Sequence, residues 1–292
     1  MTLAGVTPWR RGKVRDVYDL GDRLLIVASD RLSAYDAILP TPIPGKGKVL
    51  TAISAFWFAT LGSARPHHLL SVERADFPAP FRDLEELDGR AMLCRRAARV
   101  DIECVVRGAL TGAGWREYRD RGTLHGEPLP PGLRDGSPLD PPVFTPTTKA
   151  EQGHDEPIPR AALPGLIGAE LARALEERSL ALFAEARPIA ALSGLVLADT
   201  KFEFGLVDGA LTLIDELLSP DSSRYWDGEA YAAGRLESFD KQIVRDWLDQ
   251  SGWDHAPPAP PLPTEVVDRT RARYLEAARR LLGPERAAGI VR

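Results

Sequence analysis

Around position 200 the chain alternates polar and apolar residues with a period of two. Asp199, Lys201 and Glu203 share one face of an extended segment, and Phe202, Phe204 and Leu206 share the other. Val207-Asp208-Gly209 then signals a turn, and a second alternating run over 210–216 completes a β-hairpin. A two-residue Asp-Gly loop pairs Glu203 with Ile214 and sends Asp215 to the opposite face. A three-residue loop pairs Lys201 with Asp215 and Glu203 with Leu213. Glycine in the third, left-handed position favours the longer loop, which gathers Asp199, Lys201, Glu203 and Asp215 on one face. Two carboxylates on neighbouring strands suit Mg²⁺, which takes one or two carboxylates plus phosphate oxygens. A solvated sheet face with cross-strand ion pairs is the plainer alternative.

The same patterning predicts strands over 13–18, 24–28, 91–96 and 100–107, and a helix over 49–61 with Leu50, Ile53, Trp57 and Leu61 inward. Residues 128–142 hold six prolines and read as loop. Helices are expected over 168–186 and 241–250, and after Thr264, where Val267, Thr270, Tyr274, Ala278 and Leu281 form one face. Strands concentrate early and helices late, which indicates an α+β fold rather than βαβ alternation. We expect a mostly β lobe with one helix over 1–105 and an α+β lobe over 106–292.

Composition narrows the function. The 292 residues are 44% hydrophobic, enough for a full core, and the net charge of −5 gives no general attraction to nucleic acid or anionic membrane. No apolar run is long enough to span a bilayer, and residues 1–11 lack an apolar signal core. Cys94 and Cys104 are too few for a disulfide framework or a zinc site. Buried free thiols fit a reducing cytoplasm. Neither GxGxxG nor a P-loop is present.

Several polar, Gly-rich segments sit at predicted strand ends. Lys13 and Arg15 follow Gly12 and can hold phosphate oxygens, or form an ordinary basic edge. Residues 29–36 carry Ser33 and Asp36 in a stretch that also suits a turn. Lys46 and Lys48 flank Gly47 at a helix start, a candidate anion site. Arg107 precedes Gly108, Gly112 and Gly114, which permit close backbone approach to a phosphate or a tight turn. Lys149, His154 and Asp155 emerge from the proline-rich stretch. Ser222 and Arg224 suit a phosphate monoester, and the serines equally suit turn capping. Together these segments suggest an enzyme that handles several phosphates.

In this order they resemble the phosphoribosylaminoimidazole-succinocarboxamide synthase (SAICAR synthetase) family. The resemblance rests on KVRDVY at 13–18, SDRLSAYD at 29–36, ECVVRG at 103–108, FTPTTKAE at 144–151 and DTKFEFG at 199–205, then Asp215-Glu216, PDSSRYW at 220–226 and SFDKQ at 238–242. It implies a two-lobed α+β fold with antiparallel sheets and ATP in the cleft, similar to kinases and ATP-grasp enzymes. It also implies a carbon–nitrogen ligase of purine biosynthesis, which joins CAIR (carboxyaminoimidazole ribonucleotide) to L-aspartate through an acyl phosphate. A kinase-like small-molecule phosphotransferase is the rival.

By the same resemblance, Lys13 and Arg15 hold ATP phosphates, and Glu203 and Asp215 hold Mg²⁺. Asp199 and Lys201 act on the reacting carboxylate. Arg107 and Arg224 grip the ribonucleotide phosphate, and Ser33, Asp36, Lys149, Asp155, Ser222 and Arg245 complete the substrate side. Two departures stand out: Ala113 occupies a position where relatives carry Ser, and the 153–157 loop is one residue short. The partners implied are small molecules, and the oligomeric state is left open.

Overall fold

In the computed structural model, which describes residues 3, 5–149 and 156–291, the early strand-forming residues build an antiparallel sheet. It contains β1 (Arg10–Arg11), β2 (Arg15–Asp19) and β3 (Arg23–Ala28). The small hairpin of β4 (Ser33–Ala34) and β5 (Ala37–Ile38) follows, and then helix α1 (Lys46–Thr60). Strands β6 (Leu69–Ser71) and β7 (Ala91–Arg95) complete the first sheet in the order β1-β2-β3-β7-β6. Its buried face sets Tyr18, Leu25, Val27 and Leu93 against Phe77 and Phe81.

Helix α1 buries Leu50, Ile53 and Trp57, the face expected from their spacing. It starts three residues earlier than the apolar period indicates. Gly45, at φ 82°, turns the chain into it, and Gly47 lies so close to the end of β3 that a Cβ there would sit 2.3 Å from the Ala28 carbonyl oxygen. Only glycine permits that approach.

The second sheet begins at β8 (Ala98–Ala109). Helix α2 (Gly112–Arg121) and the short pair β9 (Thr123–Leu124) and β10 (Glu127–Pro128) lead to β11 (Pro138–Thr148). Helices α3 (Leu163–Ile167) and α4 (Ala169–Leu192) precede the central strand β12 (Leu195–Val207), then β13 (Ala210–Ile214) and β14 (Ser223–Asp227). The order is β11-β8-β12-β13, with β14 also on β12. Part of the stretch expected to be loop is therefore strand. Prolines are tolerated in β11 because it is an edge strand with a register shift between Pro138 and Val143.

Phe202 and Phe204 of β12 are fully buried, as their alternation requires, against Leu182 and Phe183 of α4. Helices α5 (Gly228–Ala232), α6 (Gln242–Gln250), α7 (Thr264–Leu282) and α8 (Pro284–Val291) close the chain. The α7 residues Val267, Thr270, Tyr274, Ala278 and Leu281 are all buried, and α7 packs on α1. Val244 and Leu248 of α6 pack with Leu32, Leu39 and Ile43, which fastens the β4–β5 segment to α6. Cys94 and Cys104 are buried free thiols; burial pushes the Cys104 thiol up to about 12. Among the described residues no helix is long and apolar enough to cross a membrane.

The hairpin register corrects the expectation. Val207 pairs with Ala210 and Glu203 with Ile214, so the loop has two residues, not three. Asp208 at φ 51° and Gly209 at φ 78° both take left-handed geometry, the turn whose twist matches its flanking strands.

Candidate active site

β12 and β8 run antiparallel with Glu203 opposite Glu103 and Lys201 opposite Val105. That register places Lys201 diagonally from Glu103 on one face. Its Nζ donates to Glu103 Oε1 at 2.6 Å and to Glu203 Oε1 at 2.9 Å. Lys149, at the end of β11, also pairs with Glu203. Both glutamates are buried, whereas 30% of the Lys201 side chain stays open. Burial opposes charge on Lys201, but Glu203 and Glu103 outweigh it and hold the ammonium protonated. Burial likewise opposes ionisation of Glu203, and Lys201 and Lys149 reverse it.

Asp215 joins this group by an unexpected route. It follows the last residue of β13 at φ 62°, a left-handed conformation that costs an aspartate on the order of 1 kcal/mol. Past the strand end, alternation no longer sets its direction. Its carboxylate receives Arg15 Nη1 at 2.7 and 3.0 Å, and the other end of that guanidinium meets Glu216. Burial works against the Arg15 charge; Asp215 and Glu216 more than restore it. The Asp215 carbonyl oxygen lies 2.9 Å from Nε2 of His68, a buried imidazole that burial pushes down to about 4.

A second cluster lies toward the other end of β12. Asp199 Oδ2 accepts from Arg224 Nη1 at 2.6 Å and from Arg107 Nη1 at 3.3 Å, while Arg107 Nε donates to Thr145. Burial pulls the Arg107 pKa down from its ordinary value. Gly112 opens α2 at φ 57°, and a Cβ there would sit 3.0 Å from Arg224 Nη2. The N-terminus of α2 thus lies directly beside the Arg224 guanidinium, and its N-cap residue Thr111 makes no side-chain cap hydrogen bond.

Both clusters border one cavity of about 900 Å³. Lys13, Arg15, Ser33, Asp36, Lys201, Arg224 and Arg245 line it, together with Thr111 to Ala113. Lys13 Nζ meets Asp36 Oδ1 at 2.5 Å across its mouth, and Arg245 pairs with Asp240 at 3.4 Å. Glu203, Asp215, Asp199, Arg107 and Lys149 stand behind this wall, each tied by ion pairs into its cluster. The Ser222 hydroxyl accepts the Ser219 N–H at 3.1 Å and so serves its own turn. His154 and Asp155 lie outside the described residues.

The sequence reading assigned no role to Glu103, Glu216 or Asp221, and it took Lys46 for part of a candidate anion site, whereas Lys46 is buried and already paired with a carboxylate. Glu103 stood in a quoted motif but showed no distinguishing spacing. Lys46 Nζ forms a 2.6 Å ion pair with Asp221 Oδ2, and Asp221 borders the cavity.

An open cavity walled by one lysine between two buried glutamates, a carboxylate-held arginine, and a further arginine at a helix N-terminus with a second behind it, defines a polyanion-handling α+β enzyme. Known proteins agree. The family model for SAICAR synthetase matches residues 8–260. Phosphoribosylaminoimidazole-succinocarboxamide synthase of Rhodopirellula baltica is 49% identical over 94% of this chain and 92% of its own. That of Thermodesulfovibrio yellowstonii is 50% identical, covering 95% and 96%. The solved structure of SAICAR-synthase from Saccharomyces cerevisiae complexed with SAICAR superposes with a TM-score of 0.84, at 38% identity and 97% coverage of both chains. The chain belongs to the SAICAR synthetase family.

Proposed function

We propose that the protein is an ATP-dependent ligase that condenses CAIR with L-aspartate to give SAICAR, ADP and phosphate in purine biosynthesis. A carboxylate is a poor acyl donor. Its oxygen attacks the γ-phosphorus of ATP, the bond to ADP breaks, and an acyl phosphate results. The aspartate amine then attacks the acyl carbon, loses a proton, and expels inorganic phosphate as the amide forms. Positioning and charge neutralisation do most of the catalytic work in such a phosphoryl transfer.

The observation that carries this reading is the Lys201 ammonium on the cavity wall, held charged between Glu103 and Glu203. It is suited to neutralise charge on the transferring phosphoryl group. Lys13 and Arg15 are placed to receive the ATP phosphates. Glu203 and Asp215 supply hard carboxylate oxygens for Mg²⁺. Among the described residues no three His, Cys, Asp or Glu side chains form a ready metal cage, and Mg²⁺ needs none when phosphate oxygens complete its shell. Bound there, the ion would neutralise polyphosphate charge.

Arg224, with Arg107 behind it and the N-terminus of α2 beside it, receives the ribonucleotide phosphate; Asp199 holds the two guanidinium groups in register. The backbone N–H groups at this helix start compensate for the missing hydroxyl at Ala113. Ser33, Asp36 and Arg245 border the substrate side, with Lys149 anchoring Glu203.

Purified protein should release phosphate from ATP only when CAIR and aspartate are both present. Phosphorylated product without aspartate would instead indicate the kinase-like phosphotransferase. Arg224→Ala removes a charged donor worth about 1.5–3 kcal/mol and so should raise the KM for CAIR roughly 10- to 100-fold. The KM for ATP should stay within about twofold, within the spread expected for a site not touched by the change. An unchanged KM for CAIR in steady-state assays would remove the phosphate assignment.

A further inference from the structure

Asp215 is the one proposed Mg²⁺ ligand whose direction is not set by strand alternation. Something else must hold its left-handed backbone, and the contact present is the imidazole of His68. Its partner atom on Asp215 is a carbonyl oxygen, which only accepts, so Nε2 must carry the proton. The ring itself is immobilised. It is 2% exposed, lies against Phe58, and has Cys94 Sγ at 3.7 Å.

The main chain of His68 is equally well anchored. Its N–H donates to Leu213 O at 2.9 Å, in the strand that ends just before Asp215. Its own carbonyl accepts from Arg95 N at 2.8 Å, at the end of the first sheet. Leu213 N donates in turn to Pro66 O at 3.0 Å, and Arg178 binds both Leu211 O and Pro66 O. Residues 66–68 therefore splice the first sheet to the hairpin of the second, and the His68 side chain reaches from that splice to the Asp215 backbone.

We propose that His68 is a positioning residue that fixes the Asp215 main chain so that its carboxylate faces Arg15 and the metal-bound nucleotide. This rests on the reading of Asp215 as a Mg²⁺ ligand. The side chain does not touch ATP; it sets the conformation of a residue that does so through the ion. It also makes the first sheet, which carries Arg15, and the hairpin, which carries Asp215, share one reference point.

The test measures ATP binding by calorimetry, with and without Mg²⁺, in wild type, His68→Leu, His68→Gln and Asp215→Asn. Loss of one hydrogen bond should weaken Mg²⁺-dependent ATP binding by about five- to tenfold in His68→Leu. Binding of ATP without Mg²⁺, which depends on Asp215 only through Arg15, should fall clearly less, and His68→Gln, which restores an amide donor, should recover most of the loss. Equal losses with and without the ion, or no loss in His68→Leu, overturns the proposal. If Asp215→Asn keeps its full Mg²⁺ dependence, the metal reading itself fails and the role of His68 falls with it. A normal His68→Leu beside a defective Asp215→Asn removes His68 alone. Should His68→Leu not fold, ¹⁵N-histidine NMR of the wild-type chain decides. The proposal requires a proton on Nε2, and an Nδ1–H tautomer would overturn it.

Discussion

Glu203→Gln should leave a folded protein whose kcat falls by about 10²- to 10³-fold, the usual result of removing a preorganised electrostatic group. The amide keeps the shape of the carboxylate and an acceptor oxygen for Lys201, now 2.9 Å away. It loses the charge that binds Lys149, balances Lys201 and, in the proposed mechanism, attracts Mg²⁺. Both lysines retain Glu103 within 3.9 Å, and each keeps part of its side chain exposed. The stability cost is therefore about 1.5–3 kcal/mol, as for a hydrogen bond to a charged group, and circular dichroism should report a native fold. Near-normal kcat in that folded variant would remove Glu203 from the catalytic arrangement.

How far this site could be read from sequence depends on distance along the chain. Asp199, Lys201 and Glu203 are two apart in one strand, so their shared face follows from alternation alone, as do the buried Phe202 and Phe204. The inward face of α7 was equally plain from its period. The hairpin register was not, because Gly209 satisfies either loop length. The competing turn won through two successive left-handed residues, and it puts Asp215 beyond the reach of strand geometry. Strand β11 was hidden by its prolines, which an edge position and a bulge accommodate.

The pairing of Lys201 with Glu103 depends on the β8–β12 register, across about a hundred residues, which no local pattern encodes. The same holds for Lys46 and Asp221. Residue type showed what chemistry was available, and only the tertiary register showed which charge met which.

That last pair carries the largest expected stability effect. Lys46 begins α1 with its side chain fully buried, and Asp221 leads into β14 with 5% of its side chain exposed. Tyr274 of α7 donates to the other Asp221 oxygen at 2.7 Å. One carboxylate thus ties together α1, the second sheet and α7. Burial alone would raise the Asp221 pKa; Lys46 and Lys241, with the Tyr274 hydroxyl, hold it well below the ordinary carboxylate range.

Asp221→Ala leaves the Lys46 ammonium buried without a counter-charge, which should cost about 3–5 kcal/mol. At roughly 2–4 °C per kcal/mol for a chain of this size, Tm should fall by about 10 °C. The pH dependence carries its own sign. A carboxyl whose pKa is depressed by folding contributes stability above its unfolded value, and that contribution is lost as pH falls through the folded value. Wild-type Tm should therefore drop as pH is lowered below about 4, near the unfolded carboxylate pKa, and the Asp221→Ala profile should be flatter there. Thermal unfolding of both proteins between neutral and acid pH measures the two effects together. Equal Tm values at neutral pH would show that the Lys46–Asp221 pair does not hold the helices to the sheet.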